Sequence, residues 1–209
     1  MIPKILHQIV GTKTNYVIDE CLSSWHLLMP KKFVIKTWND DLLGNFIANE
    51  YPFALQAFLN SRNHGEAADI ARYLLIYHTG GFYMDWDVQL LDTSGFMKLI
   101  KRAPNGFLLI DPVNQTPAPE AFSAKKNESY LLNLVKEIVM LYECGKRNKL
   151  STPYYSGPFR MRDTLKKFST KQSLIPVKEV FVYDYSEIRI MPDRESGQPL
   201  IHYWLHSWL

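Results

Sequence analysis

Short apolar runs alternate with amphipathic segments along the first half of the chain. The apolar runs are rich in β-branched and aromatic residues, and the segments between them repeat apolar residues at helical spacing. The pattern predicts strands at residues 4–10, 33–38 and 82–84, and helices at 19–28, 41–49, 53–60 and 67–78. Strands that alternate with helices predict an α/β fold with a mostly parallel sheet covered on both faces.

The second half of the chain predicts fewer strands. We expect residues 88–91 to continue the strand that begins at residue 82, and residues 106–111 to form another buried strand. The proline-containing segment 112–120 predicts a shaped surface loop, followed by an edge strand at 121–124. Further helices are predicted at 95–101, 128–144 and 159–167.

Length and composition favour one packed domain. A chain of 209 residues is long enough for one domain and short for two. We expect a single domain over residues 1–209, with a nucleotide-binding half at 1–92 and a second half with a closing tail at 93–209. The apolar fraction of 46% supports a sizeable core, and a net charge of +3 is too small to indicate a nucleic-acid partner.

The sequence also gives an expectation of location. It contains no apolar stretch long enough to span a bilayer, and residues 1–10 lack a signal-peptide pattern. Cys21 and Cys144 are too few for a disulfide framework and have no metal-binding spacing, so we expect a reducing cytoplasm. The basic clusters at 146–149 and 166–171 are either solvated surface or a weak contact with the inner face of a membrane; an anchor outside this sequence stays open.

The candidate chemistry begins at Asp85-Trp86-Asp87, directly after the apolar run 82–84. Alternation along a strand predicts that Asp85 and Asp87 point the same way. Two carboxylates about 6 Å apart repel by roughly 3 kcal/mol at an effective dielectric of 20, and a divalent cation turns that cost into attraction. Oxygen ligands suit Mg²⁺ or Mn²⁺. The alternative is a solvated Asp-x-Asp turn.

A second polar pair lies on the preceding helix. Asp69 and Arg72 are three residues apart and therefore share one helix face with Tyr73, which indicates a half-buried polar site rather than an exposed ion pair. The chain has neither a P-loop nor a G-x-G-x-x-G sequence. A bound diphosphate would therefore be neutralised by a metal ion and by side chains such as Arg72.

Three motifs together resemble glycosyltransferase family 32. They are Ile2-Pro3-Lys4-Ile5-Leu6-His7-Gln8, Ala68-Asp69-Ile70-Ala71-Arg72-Tyr73, and Gly80-Gly81-Phe82-Tyr83-Met84-Asp85-Trp86-Asp87. That family includes the yeast initiating α-1,6-mannosyltransferases and bacterial capsule and lipopolysaccharide enzymes. The glucosyltransferase domains of large clostridial toxins share the Asp…Arg…Asp-x-Asp arrangement. The resemblance implies a single GT-A-like, Rossmann-like domain that binds a nucleotide sugar. It also implies that residues 93–209 form the acceptor-side half and that the loop 112–120 lies near the acceptor.

The resemblance also implies roles for individual residues. Asp87 is expected to bind Mn²⁺ or Mg²⁺ directly, Asp85 to hold the ribose and a water on the ion, and Asp69 and Arg72 to grip the donor sugar and phosphate. These four are the expected catalytic residues. The remaining donor-binding residues in this half are expected to be His7, Gln8, Ile9, Val10, Tyr73 and Trp86. For His7, a strand histidine bonded to the backbone is the alternative.

Two later segments add candidates. Ser156-Gly157-Pro158 stands where family members carry Thr-Gly-Pro before a helix, so Gly157 is expected to border the donor; a simple proline-set helix start explains it equally well. The aromatic tail at 202–209 matches a family ending with a histidine followed by Ser-Trp. By resemblance one of His202, His206 or Ser207 completes the metal site, and Ser207 and Trp208 close over the donor. The alternative is an aromatic plug of the core.

The expected function is a metal-dependent, retaining glycosyltransferase. The donor would be a nucleotide-diphosphate sugar, most simply a UDP-sugar, and the acceptor a glycan or lipid-linked saccharide in surface polysaccharide synthesis. The sequence shows no obvious nucleophile, which favours a front-face displacement. The alternatives are a catalytically silent sugar- or nucleotide-binding module and an Asp-x-Asp phosphatase, although the phosphatase chemistry requires the acidic pair after the first strand of the chain.

Overall fold

A computed structural model describes residues 1–192 and 197–205 of the chain. The strands are β1 (Ile5–Ile9), β2 (Val34–Trp38), β3 (Gly81–Met84), β4 (Val88–Leu90), β5 (Gly106–Asp111), β6 (Thr116–Ala124), β7 (Ser173–Pro176) and β8 (Leu200–His202). The α-helices are α1 (Tyr16–Ser24), α2 (Asp40–Glu50), α3 (Pro52–Leu59), α4 (His64–Thr79), α5 (Thr93–Arg102), α6 (Ser129–Glu143), α7 (Thr152–Tyr155) and α8 (Pro158–Leu165). Short 3₁₀ helices cover Trp25–Lys31, Arg147–Lys149 and Val177–Glu179.

The central sheet has the strand order β2-β1-β3-β6-β5-β7. Strands β1, β2 and β3 are mutually parallel, β6 runs antiparallel to β3 and β5, and β7 is parallel to β5. The predicted α/β class with a mostly parallel sheet is therefore confirmed. Residues from both predicted halves of the chain contribute strands to this one sheet.

Each face of the sheet carries a hydrophobic core. On one face α4 and α6 pack through Leu74, Ile76 and Leu131, all fully buried. On the other face the side chains of Trp25, Phe82 and Phe96 meet at ring-centroid distances of 5.4 to 6.0 Å. Burial on both faces explains why the strands read as apolar runs rather than as alternating patterns.

Helix α4 is the central buried helix, and its ends are set by the sequence. The Asn63 side chain caps it by accepting a hydrogen bond from the Glu66 N–H at 2.9 Å. Gly80 and Gly81 end it with φ values of +67° and +111°. A Cβ on Gly81 would lie 2.4 Å from the Ile5 carbonyl oxygen, so only glycine lets β3 approach β1 at this point.

Residues 88–91 do not continue the preceding strand, contrary to the sequence-based expectation. The Val88 N–H donates to the Asp85 carbonyl at 3.0 Å, which closes a turn, and β4 then pairs antiparallel with β8 in a separate two-stranded sheet. In that pairing Val88 lies opposite His202. The end of the described chain is thereby brought beside the acidic motif.

The segment 112–124 also differs from the expectation. Strand β6 already begins at Thr116, so only residues 112–115 form a loop, and residues 121–124 lie between β3 and β5 rather than at an edge. Pro117 and Pro119 misled the prediction, because proline is usually excluded from central strands. They lie in the part of β6 that extends past the end of β3, where Met84 pairs with Ala121.

Among the described helices, none is both long enough and apolar enough to cross a bilayer.

Candidate active site

The acidic motif lies in the turn that follows β3. The Asp85 N–H donates to the Glu120 carbonyl at 2.8 Å, and the Val88 N–H closes the turn onto Asp85. This turn, rather than strand alternation, brings Asp85 and Asp87 together. The Trp86 ring packs against Gly11, where an added Cβ would lie 2.8 Å from the indole. The expected convergence of the two carboxylates is present, but its structural cause is different.

His202 completes a three-residue cluster with the two aspartates. One potential ligand atom from each of Asp85, Asp87 and His202 lies within 4.8 Å of the other two. His202 Nε2 is 3.2 Å from Asp87 Oδ1, and Asp87 Oδ2 accepts the Leu205 N–H at 2.9 Å. Both carboxylate oxygens of Asp87 are therefore oriented by residues in β8 or just after it.

Arg72 links the motif to α4. Its guanidinium lies 3.2 Å from Asp85 Oδ1 and 3.6 Å from Asp69 Oδ1, and it donates to the Pro119 carbonyl at 3.0 Å. It also lies over the Tyr83 ring, 4.7 Å from the centroid. Arg72 is 6% exposed, so the predicted half-buried pair is a buried network.

The other side of Asp69 faces the segment before α8. Ser156 Oγ donates to Asp69 Oδ2 at 2.7 Å, and the Tyr73 hydroxyl donates to the Ser156 carbonyl at 3.0 Å. A Cβ on Gly157 would lie 3.0 Å from the Pro153 Cα and 3.5 Å from Asp69 Oδ2. Glycine at 157 therefore lets this segment pack closely against the Asp69 carboxylate.

The site carries more buried carboxylates than cations. Burial raises the pKa of Asp69 to about 6 although Arg72 and Ser156 act against it, and burial raises the pKa of Asp85 against the opposing effect of Arg72. Burial acts to raise the pKa of Asp87 too, but His202 and the Leu205 N–H outweigh it and leave that pKa lowered. An excess of buried negative charge attracts a cation.

The network opens into a cavity of about 570 Å³. Eight of the predicted site residues line it: Ile9, Asp69, Arg72, Asp85, Trp86, Asp87, Gly157 and His202. The described lining does not include His7, Gln8, Val10 or Tyr73. The predicted residues His206, Ser207 and Trp208 lie outside the described part of the chain.

His7 lies on β1, within the sheet, and is not among the residues that line the cavity. Its Nδ1 accepts the Trp38 indole N–H at 3.1 Å, and its Nε2 is 3.0 Å from Thr79 Oγ1. Burial, assisted by the positive charge of Lys36, lowers the pKa of His7 to about 4. This arrangement matches the alternative of a strand histidine: its partners are two side chains and the backbone of Gly80. Its predicted contact with a donor stays a prediction.

Among the lining residues that sequence reasoning did not name, Glu120 and Trp204 lie beside His202. Glu120 Oε1 is 3.8 Å from His202 Nδ1. The Trp204 ring lies against the His202 ring, with centroids 4.0 Å apart and planes inclined by 35°. Trp204 has a φ of +46°, which is uncommon outside glycine. The aromatic tail was a usable signal for Trp204, but nothing in the sequence near Glu120 distinguished it.

The donor atoms of the cluster fit a divalent ion. Two carboxylates and one imidazole are ligands that first-row divalent ions accept, and the imidazole makes Mn²⁺ a better match than Mg²⁺. His202 Nδ1 is a buried atom with no hydrogen-bond partner among the described residues, as expected where an orienting contact tightens on binding. Asp85, Asp87 and His202 are therefore the residues that would hold the ion.

Comparison with known proteins places the acidic motif in a family. Residues 16–104 match the family model described as "Glycosyltransferase sugar-binding region containing DXD motif". Inositol phosphoceramide mannosyltransferase 3 of Schizosaccharomyces pombe is 33% identical over 89 residues, which cover 42% of this chain and 24% of the relative. The chain thus spans about a quarter of the length of the curated relatives it matches. The family match includes Asp87 but ends before Glu120 and His202.

Solved structures share the fold over more of the chain. PaToxG glycosyltransferase superposes with a TM-score of 0.55 and 16% identity over 79% of this chain and 69% of its own. A glycosyltransferase involved in the glycosylation of the major capsid of PBCV-1 gives a TM-score of 0.52 and 11% identity over 95% and 92% of the two chains. The resemblance to glycosyltransferase family 32 is confirmed over residues 16–104, and the fold is that of GT-A glycosyltransferases.

Proposed function

We propose that this chain is a metal-dependent, retaining glycosyltransferase that moves a sugar from a nucleotide-diphosphate donor to a saccharide-bearing acceptor. The observation that carries the proposal is the convergence of Asp85, Asp87 and His202 with Arg72 and Asp69 in one cavity. These residues come from three separate parts of the chain. A solvated Asp-x-Asp turn would not assemble such a buried network around it.

The described residues divide the work of binding the donor between charge and hydrogen bonding. Arg72 presents a buried guanidinium held between Asp69 and Asp85, which suits an anionic phosphate next to the ion site. Asp69, fixed by Ser156, can accept hydrogen bonds from hydroxyl groups of the donor sugar. When bound, a divalent cation at Asp85, Asp87 and His202 would neutralise the charge that develops on the leaving diphosphate.

The protein also prepares the site for that charge before any substrate binds. Asp87 is fixed at both oxygens, and Asp85 at Oδ1 by the Tyr83 hydroxyl at 2.7 Å and by Arg72. Groups held in place by packing need no reorganisation as the reaction proceeds, which is the largest source of electrostatic catalysis. A front-face displacement, in which the acceptor hydroxyl attacks on the side of the departing phosphate, fits this arrangement without a protein nucleophile.

The sugar and the acceptor are proposed at the level of class. The yeast relative is by name a mannosyltransferase acting on inositol phosphoceramide. The candidate donors are therefore UDP-sugars and a mannose donor, and the candidate acceptors are surface polysaccharide and a glycolipid. Part of the cavity wall is apolar, formed by Pro117, Pro153, Pro158 and Phe159. Such a wall accommodates an acceptor with an apolar portion, and a cytoplasmic site at a membrane surface would suit it.

A donor panel tests the proposal. The protein is incubated with UDP- and GDP-sugars, with Mn²⁺ or with a chelator, and release of UDP or GDP is measured with and without saccharide and alkyl-glycoside acceptors. We expect Mn²⁺-dependent release of the nucleotide diphosphate from one donor, and an acceptor should increase that release. The glycoside product should retain the anomeric configuration of the donor sugar. Donor binding without turnover under every condition would instead identify a silent binding module.

A further inference from the structure

We propose that Glu120 is a positioning residue for the ion site, which it serves by orienting His202 as a ligand. The inference rests on the proposed function, because it takes Asp85, Asp87 and His202 as the ion-binding residues. Glu120 lies on β6, outside the region that matches the sugar-transferase family. Its position follows from the way β6 extends past the end of β3.

Glu120 contacts the site in two ways. Its main-chain carbonyl accepts the Asp85 N–H at 2.8 Å, which fixes the start of the acidic turn. Its side chain, 15% exposed, places Oε1 at 3.8 Å from His202 Nδ1. One residue of β6 therefore touches the backbone of one proposed ligand and lies beside the ring of another.

His202 has an unmet requirement that Glu120 can fulfil. The His202 side chain is 5% exposed, and its Nδ1 has no hydrogen-bond partner among the described residues. Its Nε2 points at Asp87, 3.2 Å away, on the side where the ion would bind. A neutral imidazole that binds a metal through Nε2 carries its proton on Nδ1, and that N–H needs an acceptor.

Among the described ion pairs of His202, Glu120 is the partner on the Nδ1 side. The separation of 3.8 Å is longer than a hydrogen bond, so a small rotation of either side chain is required. We expect that rotation when Nε2 turns from Asp87 towards a bound ion. The resulting carboxylate–histidine–metal arrangement fixes the ring orientation and makes the imidazole a stronger ligand.

Calorimetric titration of metal-free protein with Mn²⁺, without any donor, tests the inference separately from turnover. Glu120→Gln keeps the size of the side chain, but it removes the charge. We expect it to weaken Mn²⁺ binding by about 10–100-fold. Glu179→Gln is the matched control, because Glu179 is an exposed carboxylate paired with Arg102 at 2.7 Å. It should leave the Mn²⁺ affinity at the wild-type value.

A double-mutant cycle with His202→Ala shows whether Glu120 acts through the histidine. We expect Glu120→Gln to have no further effect in the His202→Ala background. A loss that persists there would mean that Glu120 acts by bulk charge or as a direct ligand, and would overturn the inference. Unchanged affinity in the single variant would overturn it as well.

Two further measurements cover the remaining outcomes. If Glu120→Gln does not fold, Glu120→Asp replaces it: a shortened carboxylate should weaken Mn²⁺ binding if contact with His202 matters, and unchanged affinity would overturn the inference.

If His202→Ala leaves no measurable Mn²⁺ binding, ¹⁵N NMR of the His202 ring with saturating Mg²⁺ tests the inference instead. A proton on Nδ1 in wild type but not in Glu120→Gln supports the inference, and the same tautomer in both overturns it.

Failure of the inference and failure of the proposed function give different results. If the wild-type protein binds no Mn²⁺, both the role of Glu120 and the proposed metal-dependent function are wrong. Wild-type protein that binds Mn²⁺ and releases a nucleotide diphosphate, together with unaltered binding by Glu120→Gln, removes only the role of Glu120.

Discussion

Two buried histidines, His7 and His202, show how differently the fold treats the same side chain. His7, on a central strand, has a side-chain partner at each ring nitrogen, Trp38 and Thr79. His202, on the small second sheet, faces Asp87 at one nitrogen and has no hydrogen-bond partner among the described residues at the other. The first ring is satisfied by its neighbours, and the second is surrounded by carboxylates.

The contrast separates a polar group that stabilises the fold from one that is prepared for a ligand. Around His7 every ring atom that can hydrogen-bond is paired, and burial lowers its pKa to about 4, so it is neutral at physiological pH. Around His202, burial acts to lower the pKa but the charge of Asp87 outweighs it and raises the pKa. Surplus buried charge of one sign is costly for folding and is expected only where function requires it.

The largest expected effect is at the ion site. Asp87→Asn removes one charge and one proposed ligand with almost no change in shape. We expect Mn²⁺-dependent release of nucleotide diphosphate to fall by on the order of 10³-fold, since charge stabilisation of the leaving group is lost. We expect the metal-free variant to fold with a somewhat lower thermal unfolding temperature, because the lowered pKa of Asp87 shows that its charge is stabilised by His202 and the Leu205 N–H. Wild-type turnover in the folded variant would refute the ion-site role.

The second effect is at His7 and concerns stability as a function of pH. The folded pKa of about 4 lies below the ordinary value of 6.5, so the unfolded chain binds more protons between these pH values. The free energy of unfolding should therefore fall as the pH drops from 6.5 to 4, by up to about 3 kcal/mol from this group.

Urea denaturation at several pH values measures this contribution. In His7→Gln the part of the pH dependence that arises from His7 should vanish, while other titrating groups keep theirs. A variant with the same slope as wild type between pH 6.5 and 4 would show that His7 is not the group responsible.

Arg72→Lys is expected to have a smaller effect on the same site as Asp87. Lysine keeps the positive charge, but its single ammonium group cannot reach Asp69, Asp85 and the Pro119 carbonyl together. We expect turnover to fall by about 10–100-fold, with the loss mainly in kcat/KM for the donor. Arg102→Lys, at an exposed pair with Glu179, is the control and should behave as wild type.

The smallest effect is expected at Trp38. Trp38→Phe keeps an aromatic ring beside Phe46 but removes the N–H that donates to His7. We expect a loss of about 1 kcal/mol in the free energy of unfolding and no change in turnover. Asp87→Asn and Trp38→Phe thus form a contrasting pair: the first mainly lowers activity, and the second lowers stability and leaves activity unchanged. A Trp38→Phe variant with impaired turnover would break the separation between the two histidine sites.

Local sequence patterns were sufficient for the elements that lead into the site. The apolar positions of α4 and the glycines at 80 and 81 specify a buried helix and its end, because periodicity and backbone conformation are properties of neighbouring residues. The local sequence also indicates that Asp69 and Arg72 share one helix face, and it contains the Asp-x-Asp motif. These features, and the glycosyltransferase resemblance that they carry, belong to a continuous stretch of chain.

Prediction from local pattern was incomplete where a position depends on pairing between distant segments. The antiparallel register of Val88 with His202 brings β8 to the acidic turn, and the extension of β6 past β3 brings Glu120 there. No local sequence pattern indicates either pairing. Pro117 and Pro119 disfavour a long β6, because proline is usually excluded from central strands. The sequence by itself indicated which carboxylates and which arginine would converge, and by resemblance it offered His202 as one of three candidates for the last ligand. The tertiary structure decided that His202 and Glu120 lie beside the acidic turn, because contacts between distant strands depend on the packing of the whole sheet.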